Sequence, residues 1–351
     1  MEERTELSEV GEFGLIKKIE EAVKISLSST IKGIGDDAAV LDPENKKLLI
    51  SSDMLNEGVH FDLSYTPLKH LGYKAAIVNF SDILAMNAYP SQITVSLGLS
   101  NRFSLEAVDE IYEGILKACD LYNVDLVGGD TTSTLSGLVI SITVVGYQEK
   151  DKIVYRDGAK EGDLICVTGD LGSAYMGLQI LEREKQIFKE DPRVQPDLSN
   201  NDYILERQLK PEARKDIVRE LETRGVLPTS MIDVSDGLVS ELFHIADKSK
   251  VGATIYADKI PIDAQTANRA DEFQLAPETV ALNGGEDYEL LFTIKQADYA
   301  KVRDWKQIAI IGHITDEAES VKMVSQTGSI INLKAQGWDA FLNKERKSDS
   351  K

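Results

Sequence analysis

Apolar residues recur at helical spacing from Phe13 through Ile16, Ile19, Val23 and Leu27, which predicts an amphipathic helix over 12–28. Residues 46–52, KKLLISS, predict a buried strand. Thr66-Pro67 supplies an N-cap and a helix-initiating proline, and that helix runs on through Leu68, Leu71, Ala75 and Val78. Ile93, Val95, Leu97 and Leu99 alternate, which predicts a half-buried strand. A helix over 104–121 and strands over 124–127 and 138–146 complete the first half. At Arg156-Asp157-Gly158-Ala159-Lys160-Glu161-Gly162 the periodicity gives way to turn chemistry, so a domain boundary is placed there. The second half repeats the style, with strands over 164–168, 230–233, 253–257, 289–294 and 307–312. Its helices are expected over 173–184, 211–224, 237–249 and 296–305, with Pro211 near the start of the second and Gly225 past its end. The stretch 186–210 is polar, contains Pro192, Pro196 and Asn200-Asn201, and reads as a mobile loop or irregular insertion. The pattern therefore predicts an α/β protein of the α+β kind with mixed sheets. It has two domains, 1–152 and 153–345, and a frayed charged tail, 346–351.

Charge narrows the function classes. The chain has 59 Asp+Glu against 39 Lys+Arg, a net charge of −20. That balance repels a phosphate backbone and an anionic membrane surface, so neither nucleic acid nor membrane is an expected partner. It does not imply disorder, because 42% hydrophobic and 28% charged residues are ordinary globular values. No apolar run is long enough to span a bilayer, and Met1-Glu2-Glu3-Arg4-Thr5-Glu6 does not read as a secretory signal. Cys119 and Cys166 lie far apart in apolar surroundings and read as core thiols, which suits a reducing cytoplasm. The absence of H-E-x-x-H among four histidines argues against a zinc hydrolase.

The informative acids sit in short Gly- or Ser-containing segments at predicted strand ends. These are Gly33-Ile34-Gly35-Asp36-Asp37-Ala38, Ser51-Ser52-Asp53, Asn79-Phe80-Ser81-Asp82, Gly128-Gly129-Asp130, Ile232-Asp233-Val234-Ser235-Asp236-Gly237 and Gly284-Gly285-Glu286-Asp287. Each alone is an ordinary turn or helix start. Together they place carboxylates where open α/β sheets bind ligands. Carboxylates converging without basic partners repel by about 4 kcal/mol per pair at about 4 Å and an effective dielectric near 20. Divalent cations relieve that repulsion, and carboxylate and hydroxyl oxygens suit Mg²⁺, which commonly serves phosphates. The paired glycines 128–129 and 284–285 would let backbone N–H groups approach phosphate oxygens, and Arg156 and Lys160 are cations placed to meet a nucleotide. No G-x-x-x-x-G-K-[ST] is present and the protein-kinase H-R-D and D-F-G are missing, so neither of those nucleotide folds applies.

At these residues the sequence resembles the thiamine-monophosphate kinases, within the superfamily of aminoimidazole ribonucleotide synthetase and selenophosphate synthetase. The resemblance covers about residues 11–342 and rests on GIGDDAAV, SSDMLNEGVHF, YKAAIVNFSDILAMNA, VGGDTT, R-x-GAK-x-GD, IDVSDGL, GGEDYEL and Gly337-Trp338-Asp339. It implies ATP-dependent phosphorylation of thiamine monophosphate to thiamine diphosphate with several Mg²⁺ ions. It also implies a homodimer paired through the sheets of the N-terminal, ATP-binding domains, and an active site in a cleft between domains. By the same resemblance Asp37, Ser51, Ser52, Asp53, Asp82, Asp130, Asp233 and Asp236 are the expected metal shell. Tyr112, Gly129, Asp130, Arg156 and Ser235 are the expected nucleotide contacts, and His60, Glu286 and Trp338 the expected substrate contacts. A carboxylate and an aromatic face suit the cationic thiamine heterocycle.

The acceptor of such a reaction is a phosphate monoester, already anionic near neutral pH, so no general base or covalent nucleophile is required. Direct in-line transfer assisted by metal and fixed donors is the economical expectation. Two alternatives stay open. One is another ATP-using member of the superfamily, such as a selenophosphate or aminoimidazole ribonucleotide synthetase; the lack of any Cys before Cys119 counts against the former. The other is a non-catalytic nucleotide- or metal-binding protein, whose mark would be missing ligands.

Overall fold

A computed structural model describes residues 7–34, 39–316, 318 and 320–334. Asp37, Trp338 and the tail 346–351 lie outside the described residues. The first helix, α1, spans Leu7–Ala22 and stops well short of the expected residue 28. Buried Asp125 explains the early end. Its carboxylate accepts from the Ser26 N–H at 2.8 Å, the Ser26 hydroxyl at 3.0 Å, the Leu27 N–H at 3.1 Å and the Thr30 hydroxyl at 2.7 Å. Those bonds take the backbone of 26–30 out of helical conformation. Short strands β1 (Thr30–Lys32) and β2 (Val40–Leu41) then pair antiparallel, an element the hydrophobic pattern did not predict.

Next come β3 (Lys47–Asn56), α2 (Leu68–Ala85), β4 (Tyr89–Leu99), α3 (Leu105–Tyr122), β5 (Asp125–Ser133) and β6 (Leu138–Gln148). The four long strands form one sheet in the order β3-β6-β4-β5, with β4 and β5 parallel and the other neighbours antiparallel. Strand alternation divides its faces. Ile93, Val95, Leu97, Ile140, Ile142 and Val144 are buried, and α2 packs on β3, β4 and β6 and against α3. On β3 the opposite face shows Leu48, Ile50 and Met54 to solvent, the last two 64% and 55% exposed. The helix at 68 begins as expected, but the cap position is Pro67, in extended conformation with no side-chain cap bond, so Thr66 does not cap it.

The chain continues with β7 (Leu164–Thr168), α4 (Ser173–Glu190), α5 (Asp202–Leu209), α6 (Lys215–Thr223), β8 (Ser230–Asp233), α7 (Leu238–Ser249) and β9 (Gly252–Tyr256). It goes on with α8 (Ala264–Glu272), α9 (Pro277–Asn283), β10 (Leu290–Ile294), α10 (Tyr299–Val302), β11 (Ile308–Thr315), β12 (Val321–Val324) and β13 (Ile330–Asn332). A seven-stranded mixed sheet orders these strands β13-β12-β9-β11-β7-β10-β8. Ile165, Val167, Ile232, Leu242, Ile255 and Leu291 belong to its hydrophobic core.

The stretch 186–210 is thus mostly helical: α4 runs on to Glu190 and α5 fills 202–209, with Ile204 and Leu205 buried. Helix α6 begins at Lys215 rather than 211. The Tyr73 hydroxyl donates to Glu212 at 2.6 Å, and the Tyr122 hydroxyl reaches Glu212 at 2.9 Å and the Ala213 carbonyl at 2.8 Å, which holds that stretch out of the helix. Contacts divide the chain into two compact units. The first takes the residues through Val154 together with 181–197 and 209–225, and the second takes 155–180, 198–208 and the residues from Val226 on. Cys119 and Cys166 are buried free thiols, as expected.

Candidate active site

In the first unit, Ser51 and Asp53 point to the helix side of β3 and meet α2. The Ser51 hydroxyl donates to Asp82 at 2.5 Å, and the Asp53 N–H donates to the Asn79 side-chain oxygen at 3.1 Å. Asn79 is buried and held by its own amide bond to the Ala75 carbonyl at 3.0 Å. Burial pushes the Asp53 carboxyl up to about 6, and the charge of Asp82 pushes the same way. A part-buried carboxylate with a second one beside it fits hard-oxygen ligation of a cation. Ser52 alternates to the opposite face, where its hydroxyl meets Thr143 Oγ1 at 3.0 Å and the Ile142 carbonyl at 3.2 Å, away from Ser51, Asp53 and Asp82. Among the described residues no group of three His, Cys, Asp or Glu side chains gathers closely enough to hold a metal. His60 lies in the exposed turn after β3, where its Nδ1 accepts from the Asn56 N–H at 3.0 Å. A neutral imidazole in that turn therefore carries its proton on Nε2.

Gly129 and Asp130 lie on β5, at the other edge of the sheet. Register aligns Asp53 with Ile142, Ile142 with Val95, and Val95 with Gly129. Asp53 and the Gly129–Asp130 step are therefore three strand spacings apart, about 14 Å, and one chain does not bring Asp130 to Asp53. Tyr112 does join Gly129 and Asp130. All three line a cavity of about 920 Å³ that Ile19, Ile34 and Thr94 also wall. Its size lies in the usual range for small-ligand sites. Burial raises the Tyr112 phenol pKa, so the ring enters the cavity wall as a neutral hydroxyl.

In the second unit, three segments meet at one end of the sheet: the turn after β7, the turn from β8 into α7, and the stretch before β10. The backbone links the last two. Glu286 N–H donates to Ser235 O at 2.7 Å, Tyr288 N–H to Val234 O at 2.9 Å and Val234 N–H to Glu289 O at 2.7 Å. Glu286 and Tyr288 adopt left-handed φ of 66° and 52°, a conformation that costs about 1–3 kcal/mol in a residue other than glycine and persists only when its surroundings impose it. Asp233 is buried at the end of β8, and Ser235 and Asp236 are half-buried beyond it. Burial raises the Asp236 carboxyl pKa; His244 and Arg156 pull it down and Glu286 adds to the rise. Arg156, on an exposed loop, is thus near Asp236, while Lys160 stands exposed in the same loop.

Some side chains of this region are missing from the motif reading. Buried Glu241 accepts from the Asp236 N–H at 3.1 Å, and burial pushes its carboxyl up to about 7. Its signal was an acid in the first turn of α7. Arg207 and Gln208, in the segment without a motif, also reach this region. Nothing in their spacing announced them.

Residues 35–148 match the family model of the AIR synthase related protein N-terminal domain, and residues 160–324 that of its C-terminal domain. A thiamine-monophosphate kinase of Aquifex aeolicus (strain VF5) is 34% identical over 335 residues, covering 95% of this chain and 99% of the relative. The chain belongs to the thiamine-monophosphate kinase family. As a member it is an enzyme, an ATP-binding transferase of the kinase class in thiamine biosynthesis. AaThiL complexed with AMPPCP and TMP superposes with a TM-score of 0.74 at 32% identity, over 95% of this chain and 98% of that one. Thiamine-monophosphate kinase from Stenotrophomonas maltophilia K279a gives 0.77 at 32% identity, over 89% and 96%. The two-domain mixed α/β architecture expected from the resemblance is that of this family. Among the described residues, no helix is long and apolar enough to cross a membrane.

Proposed function

We propose that this chain transfers the γ-phosphoryl group of ATP to thiamine monophosphate, forming thiamine diphosphate by direct in-line transfer assisted by several Mg²⁺ ions. The observation that carries the reading is the near full-length likeness to a relative complexed with AMPPCP and TMP. The residues proposed to hold Mg²⁺ are Asp37, Ser51, Ser52, Asp53, Asp82, Asp130, Asp233 and Asp236. Ser51, Asp53 and Asp82 support this best, through their oxygen donors and the raised carboxyl of Asp53. When bound, Mg²⁺ supplies positive charge that offsets the carboxylates and holds phosphate oxygens. Tyr112, Gly129, Asp130, Arg156 and Ser235 bind the nucleotide in this reading, with the 920 Å³ cavity in support. His60, Glu286 and Trp338 orient the acceptor, the Glu286 carboxylate attracting its cationic ring. The acceptor phosphate attacks as the anion it already is, so no side chain needs to become a covalent nucleophile.

The same reading takes the chain as a cytoplasmic homodimer, with a nucleotide-binding and dimerising domain over 1–152 and a second domain over 153–345. Exposed Leu48, Ile50 and Met54 support pairing through the open sheet face. The separation of Asp53 from Asp130 supports a site completed by a second copy. The test is incubation with ATP, Mg²⁺ and thiamine monophosphate, then separation of products, with thiamine run alongside. Thiamine diphosphate from the monophosphate alone is expected; its absence overturns the reading.

A further inference from the structure

Helix α5 ends against the stretch that carries Glu286. Gln208 is 5% exposed, and its Nε2 donates to Glu286 Oε2 at 2.8 Å. The neighbouring Arg207 has a different task. Its Nη2 donates to the carbonyl oxygens of Asp170 at 3.1 Å and Asp287 at 3.2 Å and pairs with Glu289 at 2.9 Å, tying the residues after Glu286 to the turn after β7. Arg207 meets the buried acids Asp287 and Glu289. Gln208 gives half-buried Glu286 an N–H donor from a buried amide, which favours one conformation of the carboxylate.

We infer that Gln208 is a positioning residue, whose amide fixes the Glu286 carboxylate toward the cationic ring of the acceptor. This rests on the reading of Glu286 as an acceptor contact. Two variants test it. Gln208→Leu removes the donor, and Gln208→Glu keeps the shape while placing an acceptor where the donor was. Both are expected to raise the acceptor KM, Gln208→Leu by about tenfold, roughly one hydrogen bond to a charged group, while the ATP KM and kcat stay within about twofold. In a Glu286→Gln background, Gln208→Leu should add no further rise in acceptor KM. An equal rise in both backgrounds, or no rise in the wild-type background, overturns the inference. A crystal structure of Gln208→Leu separates the two layers. If Glu286 keeps its place, the positioning role is overturned whatever the kinetics. If Glu286 moves but Glu286→Gln leaves the acceptor KM unchanged, the acceptor reading of Glu286 is what fails, and the role of Gln208 falls with it.

Discussion

A Cβ placed on Gly285 would lie 2.5 Å from the carbonyl oxygen of Ser235. The segments before β10 and after β8 therefore touch backbone to backbone, and Gly285 is there for packing between two loops. Gly285→Ala should push Ser235 and Glu286 apart. The expected result is a loss of about 1–3 kcal/mol in stability with a rise in acceptor KM. Urea unfolding and steady-state kinetics check it, and a fully active, equally stable variant would remove the claim that this contact sets the site.

The other glycine pair gives a sharper comparison, because its two members differ. A Cβ on Gly129 would sit 1.9 Å from the Val95 carbonyl oxygen, whereas one on Gly128 meets only Thr94 Cγ2 at 3.6 Å. Gly128→Ala should fold and work within about 0.5 kcal/mol of wild type. Gly129→Ala should unfold or lose nucleotide binding. Equal behaviour of the two variants would contradict the strand geometry described here.

Those contacts mark where sequence reasoning stopped. The strands over 164–168 and 230–233 were legible to the residue, because runs such as Leu164–Thr168 are apolar and bounded by turn residues. The glycine pairs were legible as special positions, yet the reason for Gly129 and Gly285 lay in the Val95 and Ser235 carbonyls, which are distant in sequence. The end of α1 was misread because Asp125, at the start of β5 and about a hundred residues on, captures Ser26, Leu27 and Thr30, overriding a helical pattern that continues to Leu27. Helix α5 was hidden because Gln208 is polar and buried, and periodicity counts such a residue as surface. The motif aspartates were found by their turns, but tertiary placement decided which of them meet: α2 brings Asp82 to Asp53, and strand order keeps Asp130 apart.

That separation makes a prediction about two inactive variants. Asp53→Asn and Asp130→Asn should each lower turnover greatly while the fold survives. If a second copy completes the site, the variants damage different halves of it. Equal mixtures, unfolded and refolded together, would then form mixed dimers in which one of two sites is intact, restoring about a quarter of wild-type activity. Activity at the level of the separate variants would show that each site is built from one chain. Wild-type turnover in Asp130→Asn alone would remove it from the metal set.

Arg207 faces more acid than one guanidinium can balance. It pairs with Glu289, stands 3.9 Å from Asp287 and donates to the carbonyl of Asp170, whose carboxylate accepts from the Tyr203 hydroxyl. Asp287 is completely buried. Burial pushes its carboxyl up to about 7 from the ordinary 3.8, against the pull of Arg207 and of the Gly172 and Ala174 N–H groups at 2.7 and 3.3 Å. Between those two values the folded chain binds more protons than the unfolded chain. The contribution of this group is therefore full below 3.8 and is lost as pH rises through 7. Asp287→Asn keeps an acceptor for one of the two N–H groups, which the carboxylate meets with different oxygens, and cannot ionise; the lost bond lowers its stability by an amount that does not depend on pH. The stability of wild type relative to Asp287→Asn should therefore fall with rising pH across that window, by at most about 1.4 kcal/mol per pH unit. Urea midpoints taken in steps between about pH 4 and 8 measure the difference. A flat difference would mean that Asp287 titrates as it does unfolded. A difference that rises with pH would mean that Arg207 and the two N–H groups outweigh burial and hold the carboxyl below its ordinary value.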